Sequence, residues 1–266
     1  MSNLPTVAFV IPALNAAGQL PACLDTIVSQ DYPKDLVDII VADGGSTDDT
    51  VALAKSRGAR VIPNPHRLAE PGFHLGVKSA EADIVFDMAA DNGLPRPDWL
   101  RLMVRPLVER PSVMGVFTPI VDAPSDNAFT RYYCRLHVEP FTWFVYGDAV
   151  NPRYFERVYD VKYMGAGYTV FRFTAMRHPL VALAQGFGMR RGFVRRPEFT
   201  EDDILPIIQM IEDGWEIAYV PEAGIYHHHL ESLSHYARKY RWRIRNSLYE
   251  DKVGFDNRAR YMSRGR

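Results

Sequence analysis

Residues 38–58, DIIVADGGSTDDTVALAKSRG, decide how the rest of the chain is read. A short β-branched apolar run stops at Asp43, two glycines and a polar cluster follow, and a helical pattern then runs to Gly58. This is a buried strand feeding a helix through a tight turn. The same unit recurs on both sides. TVAFVIPALN (6–15) is a strand, and AGQLPACLDTIVSQ (17–30) a helix with Leu20, Leu24, Ile27 and Val28 on one face. ARVIPN (59–64) is a third strand, FHLGVKSAEA (73–82) a helix, and DIVFDMA (83–89) a fourth strand. Strands alternating with helices at this pace predict an α/β fold with a mostly parallel sheet flanked by helices.

Sites in such sheets form at the carboxyl ends of the strands. Those ends carry Pro12 to Asn15, Asp43 to Thr47, and Asp87 to Asn92, all polar or turn-forming. At the second end, Ser46 or Thr47 can cap the helix with Asp48 and Asp49 in its first turn, which would make the stretch a well-capped helix and nothing more. Alternatively Asp43 accepts hydrogen bonds from a base or ribose. Neither GxxxxGK[ST] nor GxGxxG is present, so the turn is not a phosphate loop of either kind.

The chain has 266 residues, 47% hydrophobic and 24% charged, enough for one large domain. A net charge of −1 gives no overall polyanion signal, although Tyr236 to Arg266 holds ten Lys/Arg against three Asp/Glu. That stretch is a basic tail for an anionic surface or a solvated helix face. Nucleic-acid binding is not expected, because no recognised module accompanies it. Two distant cysteines, Cys23 and Cys134, imply neither a disulfide framework nor a zinc site. The N-terminal run lacks a signal-peptide pattern and no run has the length of a spanning helix, so a cytoplasmic protein is expected.

After residue 115 the alternation fades into an aromatic-rich stretch. The expected organisation is a nucleotide-binding half over 1–115, a second-substrate half of the same domain over 116–235, and a basic, aromatic helical tail over 236–266. MGAGYTVFRF (164–173) reads as a glycine turn entering a strand, and WEIAYVPEAGIYHHH (215–229) as one strand ending in three histidines. In TEDDILPIIQM, the acids Glu201, Asp202 and Asp203 open a helix; they cap it, or one acts as a general base on an acceptor hydroxyl. One histidine of the 227–229 run can join Asp91 at a metal, and an oxygen-rich site suits Mn²⁺ or Mg²⁺ better than zinc.

In order and spacing, IPALNAAGQLPACLDTIVSQDYP, IIVADGGSTDDT, ADIVFDMAADNGLPRPDWL, MGAGYTVFRF and TEDDILPIIQMIEDGWEIAYVPEAGIYHH resemble the family 2 glycosyltransferases of the GT-A fold over about residues 5 to 235. The resemblance implies an inverting, metal-dependent enzyme that uses a nucleotide-sugar donor, with UDP preferred. Pro12, Ala13 and Asn15 would lie along the nucleotide and Asp43 on its base. The family's Asp-x-Asp falls on Ala89-Ala90-Asp91, so Ala90 and Asp91 would face the donor and only Asp91 remains to bind the metal. Gly165, Ala166 and Gly167 would form the glycine loop near the donor sugar. Asp202, paired with Glu201, would be the catalytic base, and His227 the histidine near the diphosphate and metal. Asp87 either substitutes for the missing acid through a bulge or is structural.

The aromatic stretch and the basic tail suit a lipid-linked acceptor, reached from the inner face of a membrane, or a second hydrophobic core. A polysaccharide acceptor fits aromatic platforms equally. Two rivals stand against this reading. One is a catalytically lapsed nucleotide- or carbohydrate-binding protein of the same fold, motivated by Ala89. The other is a nucleotidyltransferase, which would need a basic glycine-rich loop where IPALNAAGQ stands.

Overall fold

The computed structural model describes residues 4–136, 154–179, 183–199, 202–228 and 232–244. Its first half follows the expected alternation: β1 (Val7–Ala13), α1 (Leu20–Val28), β2 (Val37–Asp43), α2 (Thr50–Ser56), β3 (Arg60–Pro63), α3 (Ala69–Ser79) and β4 (Ile84–Met88). These strands pair in parallel in the order β3-β2-β1-β4. There follow β5 (Asn92–Gly93), α4 (Trp99–Glu109), β6 (Val113–Phe117), β7 (Ile120–Val121), α5 (Ala128–Leu136) and α6 (Phe155–Val158). The remaining elements are β8 (Val161–Gly165), β9 (Tyr168–Phe171), β10 (Gln185–Arg190), α7 (Leu205–Glu212), β11 (Glu216–Tyr219), β12 (Ile225–His227) and α8 (Leu233–Ile244).

The large sheet runs β3-β2-β1-β4-β10-β6-β11-β9-β8, and a small one runs β5-β12-β7. The second half of the large sheet is mixed. β10 lies antiparallel between β4 and β6, β11 runs parallel to β6, and β8 and β9 form an antiparallel hairpin. Only two residues join β8 to β9, too few for the crossover a parallel pair needs, and Gly167 takes φ +85° in that turn. The two halves of the chain therefore share one sheet. The segment 215–228 is also two strands rather than one. Pro221 has no ladder N–H to offer and Gly224 turns at φ +61°, so β11 stays in the large sheet and β12 crosses to the small one.

β1 is buried along nearly its whole length, as a central parallel strand covered on both faces must be. On one face Phe9 stacks on Phe86 at 5.4 Å between centroids, and Phe86 meets Trp99 at 5.3 Å. On the other face α3 packs close because Gly76 has no side chain; a Cβ there would sit 2.1 Å from Val10.

The same α3 face hides Asp87. It is fully buried and paired with Arg195 Nη2 at 2.7 Å, so it is structural and serves no surface cation. Burial pushes its carboxyl up to about 6, against the pull of Arg195.

A second acid ties the sheet's lower edge. Glu216 accepts from Arg110, from Ser112 Oγ at 2.7 Å and from Lys162 Nζ at 2.8 Å, and these bonds hold its pKa at about 2, Arg110 acting most strongly. The folded value lies below the ordinary 4.5, so the stabilisation is complete above about pH 4.5 and is lost as pH falls towards 2. Glu216→Gln should therefore lower stability at pH 7 and reduce the acid-side slope between those values, to which Asp48, Asp83 and Asp98 also contribute, read from urea midpoints across pH; an unchanged slope would assign the acid transition to those other groups.

Candidate active site

The upper edge of the sheet collects the carboxyl ends of β1, β2 and β4. Ala13 is in register with Asp43, Gly44 N–H donates to the Ala13 carbonyl at 2.8 Å, and Asn64 N–H donates to that of Asp43 at 2.7 Å. The Asp43 carboxylate accepts the amides of Gly45 (3.0 Å) and Ser46 (3.1 Å), with Gly45 at φ +84°.

Ser46 and Thr47 do not cap α2 as expected. Ser46 Oγ accepts from the Asn15 amide and Asn15 Oδ1 accepts from the Thr47 amide, both at 2.9 Å. Asn15 itself adopts φ +50°, a conformation asparagine tolerates better than most residues. The turn into α2 is held instead by Asp48, whose Oδ1 accepts from the Thr50 amide at 3.1 Å and from its hydroxyl. The loops after β1 and β2 are thus knitted to each other. Pro12 and Ala13 line a cavity of about 110 Å³ with Asn64 and Arg67. Arg67 was not singled out from the sequence. Its guanidinium lies 3.9 Å from the point where a Gly45 Cβ would stand, which sets a cation beside the Asp43 turn.

At the end of β4 the chain turns sharply through Ala89 to Asn92. Asn92 is buried, its Oδ1 accepts the Ala89 amide at 2.9 Å, and its strand pairs His227 of β12 with Asn92. The His228 amide donates to the Asp91 carbonyl at 3.2 Å. Asp91 is thus held from both sides, and its Oδ2 lies 3.6 Å from His227 Nε2. Ala90 packs against the main core, and the Ala89 carbonyl accepts from Cys23 Sγ at 3.8 Å. Cys23 is buried with its thiol pKa driven up by burial and then by Asp91, so it is no nucleophile.

Asp202 is 3% exposed, and its Oδ1 accepts the amides of Ile204 (2.7 Å) and Leu205 (2.8 Å), capping α7. Residues 183–184 join this loop to the Asp91 turn. The Ala184 carbonyl accepts from the Ala89 amide, and the Leu183 amide donates to the Asp203 carbonyl, both at 2.9 Å. The acid after β4 and the acid before α7 therefore flank the same two residues. Glu201 lies outside the described residues.

The glycine turn is placed differently. Gly165 to Gly167 opens onto the same sheet edge, but β10, β6 and β11 separate its hairpin from β4, roughly 19 Å along the sheet at about 4.8 Å per strand. The Ala166 carbonyl accepts there from Arg105 Nη1 at 2.9 Å.

Asp91 and His227 suit one divalent ion of the Mn²⁺ or Mg²⁺ type: a carboxylate and an imidazole nitrogen 3.6 Å apart can share it, with diphosphate oxygens and water completing its shell. Among the described residues no group of three or more His, Cys, Asp or Glu gathers around a common point. Nor is any described helix long and apolar enough to cross a membrane.

The chain is similar in sequence and in fold to known glycosyltransferases. A dolichyl-phosphate-linked diacetamido-glucuronosyltransferase of Methanococcus voltae is 28% identical over 46% of this chain and 40% of its own length. A PGL/p-HBAD biosynthesis glycosyltransferase of Mycobacterium bovis is 35% identical over 36% of this chain and 39% of its own. The aligned region thus spans about two fifths of each of these relatives. Among solved structures, a mannosyltransferase from Pyrobaculum calidifontis in complex with GDP-Man and Mn²⁺ superposes with TM-score 0.60 at 19% identity, over 94% of this chain and 63% of that one. The Mycobacterium tuberculosis glucosyl-3-phosphoglycerate synthase, solved with Mn²⁺, UDP and glucosyl-3-phosphoglycerate, gives 0.54 at 20% identity, over 94% and 81%. The fold is that of the GT-A glycosyltransferases. The profile described as Glycosyl transferase family 2 matches residues 8–181, which takes in β1 to β9 and the Asp91 turn, and the chain belongs to that family.

Proposed function

We propose that the protein is an inverting glycosyltransferase that moves a sugar from a nucleotide-sugar, UDP-linked by preference, to a hydroxyl or phosphate of a glycan acceptor that is lipid-linked or polysaccharide. The observation that carries this reading is the bridge at residues 183–184, which sets the Asp91–His227 pair beside the Asp202 loop. The nucleotide lies along Pro12, Ala13 and Asn15, its base against Asp43, with Arg67 and Asn64 in the adjoining cavity. Asp91 and His227 hold a divalent ion, whose chemistry when bound is to neutralise charge on the leaving diphosphate.

The Asp202 carboxylate, whose Oδ1 accepts the α7 amides, takes the proton from the acceptor hydroxyl. The hydroxyl oxygen bonds to the anomeric carbon as the bond to the diphosphate oxygen breaks. One such displacement inverts the centre. The acceptor approaches from the Asp202 side of the bridge, opposite the β1 and β2 loops.

The donor side is tested by calorimetric titration of UDP, GDP and dTDP, each with and without Mn²⁺. One nucleotide should bind only with metal, and Asp91→Ala should weaken it by about tenfold or more, the loss of one charged ligand. Metal-independent binding, or binding that Asp91→Ala leaves intact, would refute the site. Binding of no nucleotide by folded protein would favour a lapsed, carbohydrate-binding protein, the non-nucleotide form of the reading that Ala89 motivates.

A further inference from the structure

A cavity of about 670 Å³ lies apart from the donor edge, between the C-terminal half of α3 and the segment that follows β10. One wall is a helical stripe at spacing i, i+3 and i+4: His74, Val77 and Lys78. The facing wall is the returning chain from Arg191 to Arg195, with Arg191, Phe193 and Arg195 the side chains of interest. Four of these six side chains are basic or imidazole, two are apolar, and none of the cavity's lining residues is acidic.

The cations are only partly engaged by neighbours, Arg195 by Asp87 and Arg191 by the field of Asp83. Lys78 and Arg191 are exposed and make no salt bridge among the described residues. The Arg195 side chain, 3% exposed, spends Nη2 on Asp87, while its Nε and Nη1 have no hydrogen-bond partner. Unsatisfied guanidinium donors at that depth cost on the order of 1–3 kcal/mol each, so the Arg195 charge beside the cavity is incompletely compensated. His74 is held below its ordinary pKa by burial, with Lys78 and Arg195 adding to the effect, which marks the positive potential of the space.

We propose that this cavity is a binding site for a phosphate monoester, its head between Lys78, Arg191 and Arg195 and its carbon body against Val77 and Phe193. Guanidinium and ammonium groups from two walls suit a multivalent oxyanion, and the apolar pair suits an organic one. The head belongs to a soluble phosphate ester or to a lipid headgroup. The site is separate from the donor: α3 begins beside Arg67 and is roughly 16 Å long at about 1.5 Å per residue, so its C-terminal half points away from the nucleotide edge. This inference does not depend on the proposed transfer reaction.

The test uses the full chain and two probes: inorganic phosphate by calorimetry in the presence of saturating UDP and Mn²⁺, and phosphatidylcholine vesicles with and without phosphatidic acid by co-sedimentation. Lys78→Ala/Arg191→Ala is the variant, since both side chains are exposed and outside the donor edge. Binding of phosphate, weakened about tenfold or more in the variant, supports a soluble ester. Binding only to vesicles with phosphatidic acid, lost in the variant, supports the lipid headgroup. Binding of neither probe, or binding that the variant retains, overturns the proposal. UDP titration of the variant should match the parent, so failure here and failure of the donor site are separable.

Discussion

Asp202→Asn should lower kcat by about 10²- to 10⁴-fold, the range that a positioned general base contributes, while nucleotide binding stays within a factor of about two. The substitution isolates chemistry from structure because of what Asp202 does locally. Its Oδ1 accepts the amides of Ile204 and Leu205, and the asparagine oxygen can accept both. The start of α7 is therefore preserved, and only the ability to take a proton is removed. Asp202→Ala would lose the cap as well, at about 1 kcal/mol, and would mix the two effects. The measurement pairs steady-state turnover with calorimetric donor affinity. Near-parental turnover in Asp202→Asn would show that the acid caps the helix and that the proton goes elsewhere.

Asp87→Ala should destabilise the protein by about 3–5 kcal/mol, a large share of the roughly 5–15 kcal/mol that separates folded from unfolded domains. The cost does not reflect the value of the ion pair. It arises because Arg195 would keep its charge at 3% side-chain exposure with its carboxylate partner Asp87 gone. For the same reason Asp87→Leu/Arg195→Met should be far milder than Asp87→Ala, neutral or even stabilising, since it removes both charges and keeps the volume. Urea unfolding of the two variants reads the difference directly. A loss under about 1 kcal/mol in Asp87→Ala would mean that water reaches Arg195 and that the pair is not sealed.

The two acids after β4's apolar run illustrate what could be read without coordinates. Parallel strands covered on both faces are continuous apolar runs ended by polar turns, so the edge holding Pro12, Asp43 and Asp91 was legible from residue types alone. That a histidine of the 227–229 run could join Asp91 followed from metal-ligand chemistry, but which one did not, because nothing local relates a turn after β4 to a strand of another sheet; the resemblance pointed to His227, and the β5–β12 pairing accounts for its contact. The partner of Asp87 was hidden for another reason. RRGFVRR looks like a solvated basic run, and only alternate residues turn inward once the chain folds back along α3. The capping of α2 was misassigned because Ser46 and Thr47 had a competitor about thirty residues away in Asn15, which a local rule cannot weigh.

The position of β10 also governs how the chain is made. Strands β1 to β4 leave the ribosome first, and β4 then has an open edge until Gln185–Arg190 arrive to pair with it. At about 5–20 residues per second, the stretch between Met88 and Gln185 occupies roughly 5–20 s of synthesis. Through that interval one edge of a strand that is apolar but for Asp87 is exposed to other nascent chains, and Asp87 has no Arg195 to meet. The β1 to β4 half of the sheet is thus dependent on residues made about a hundred positions later, and early termination after α4 should yield an aggregating fragment rather than a smaller domain.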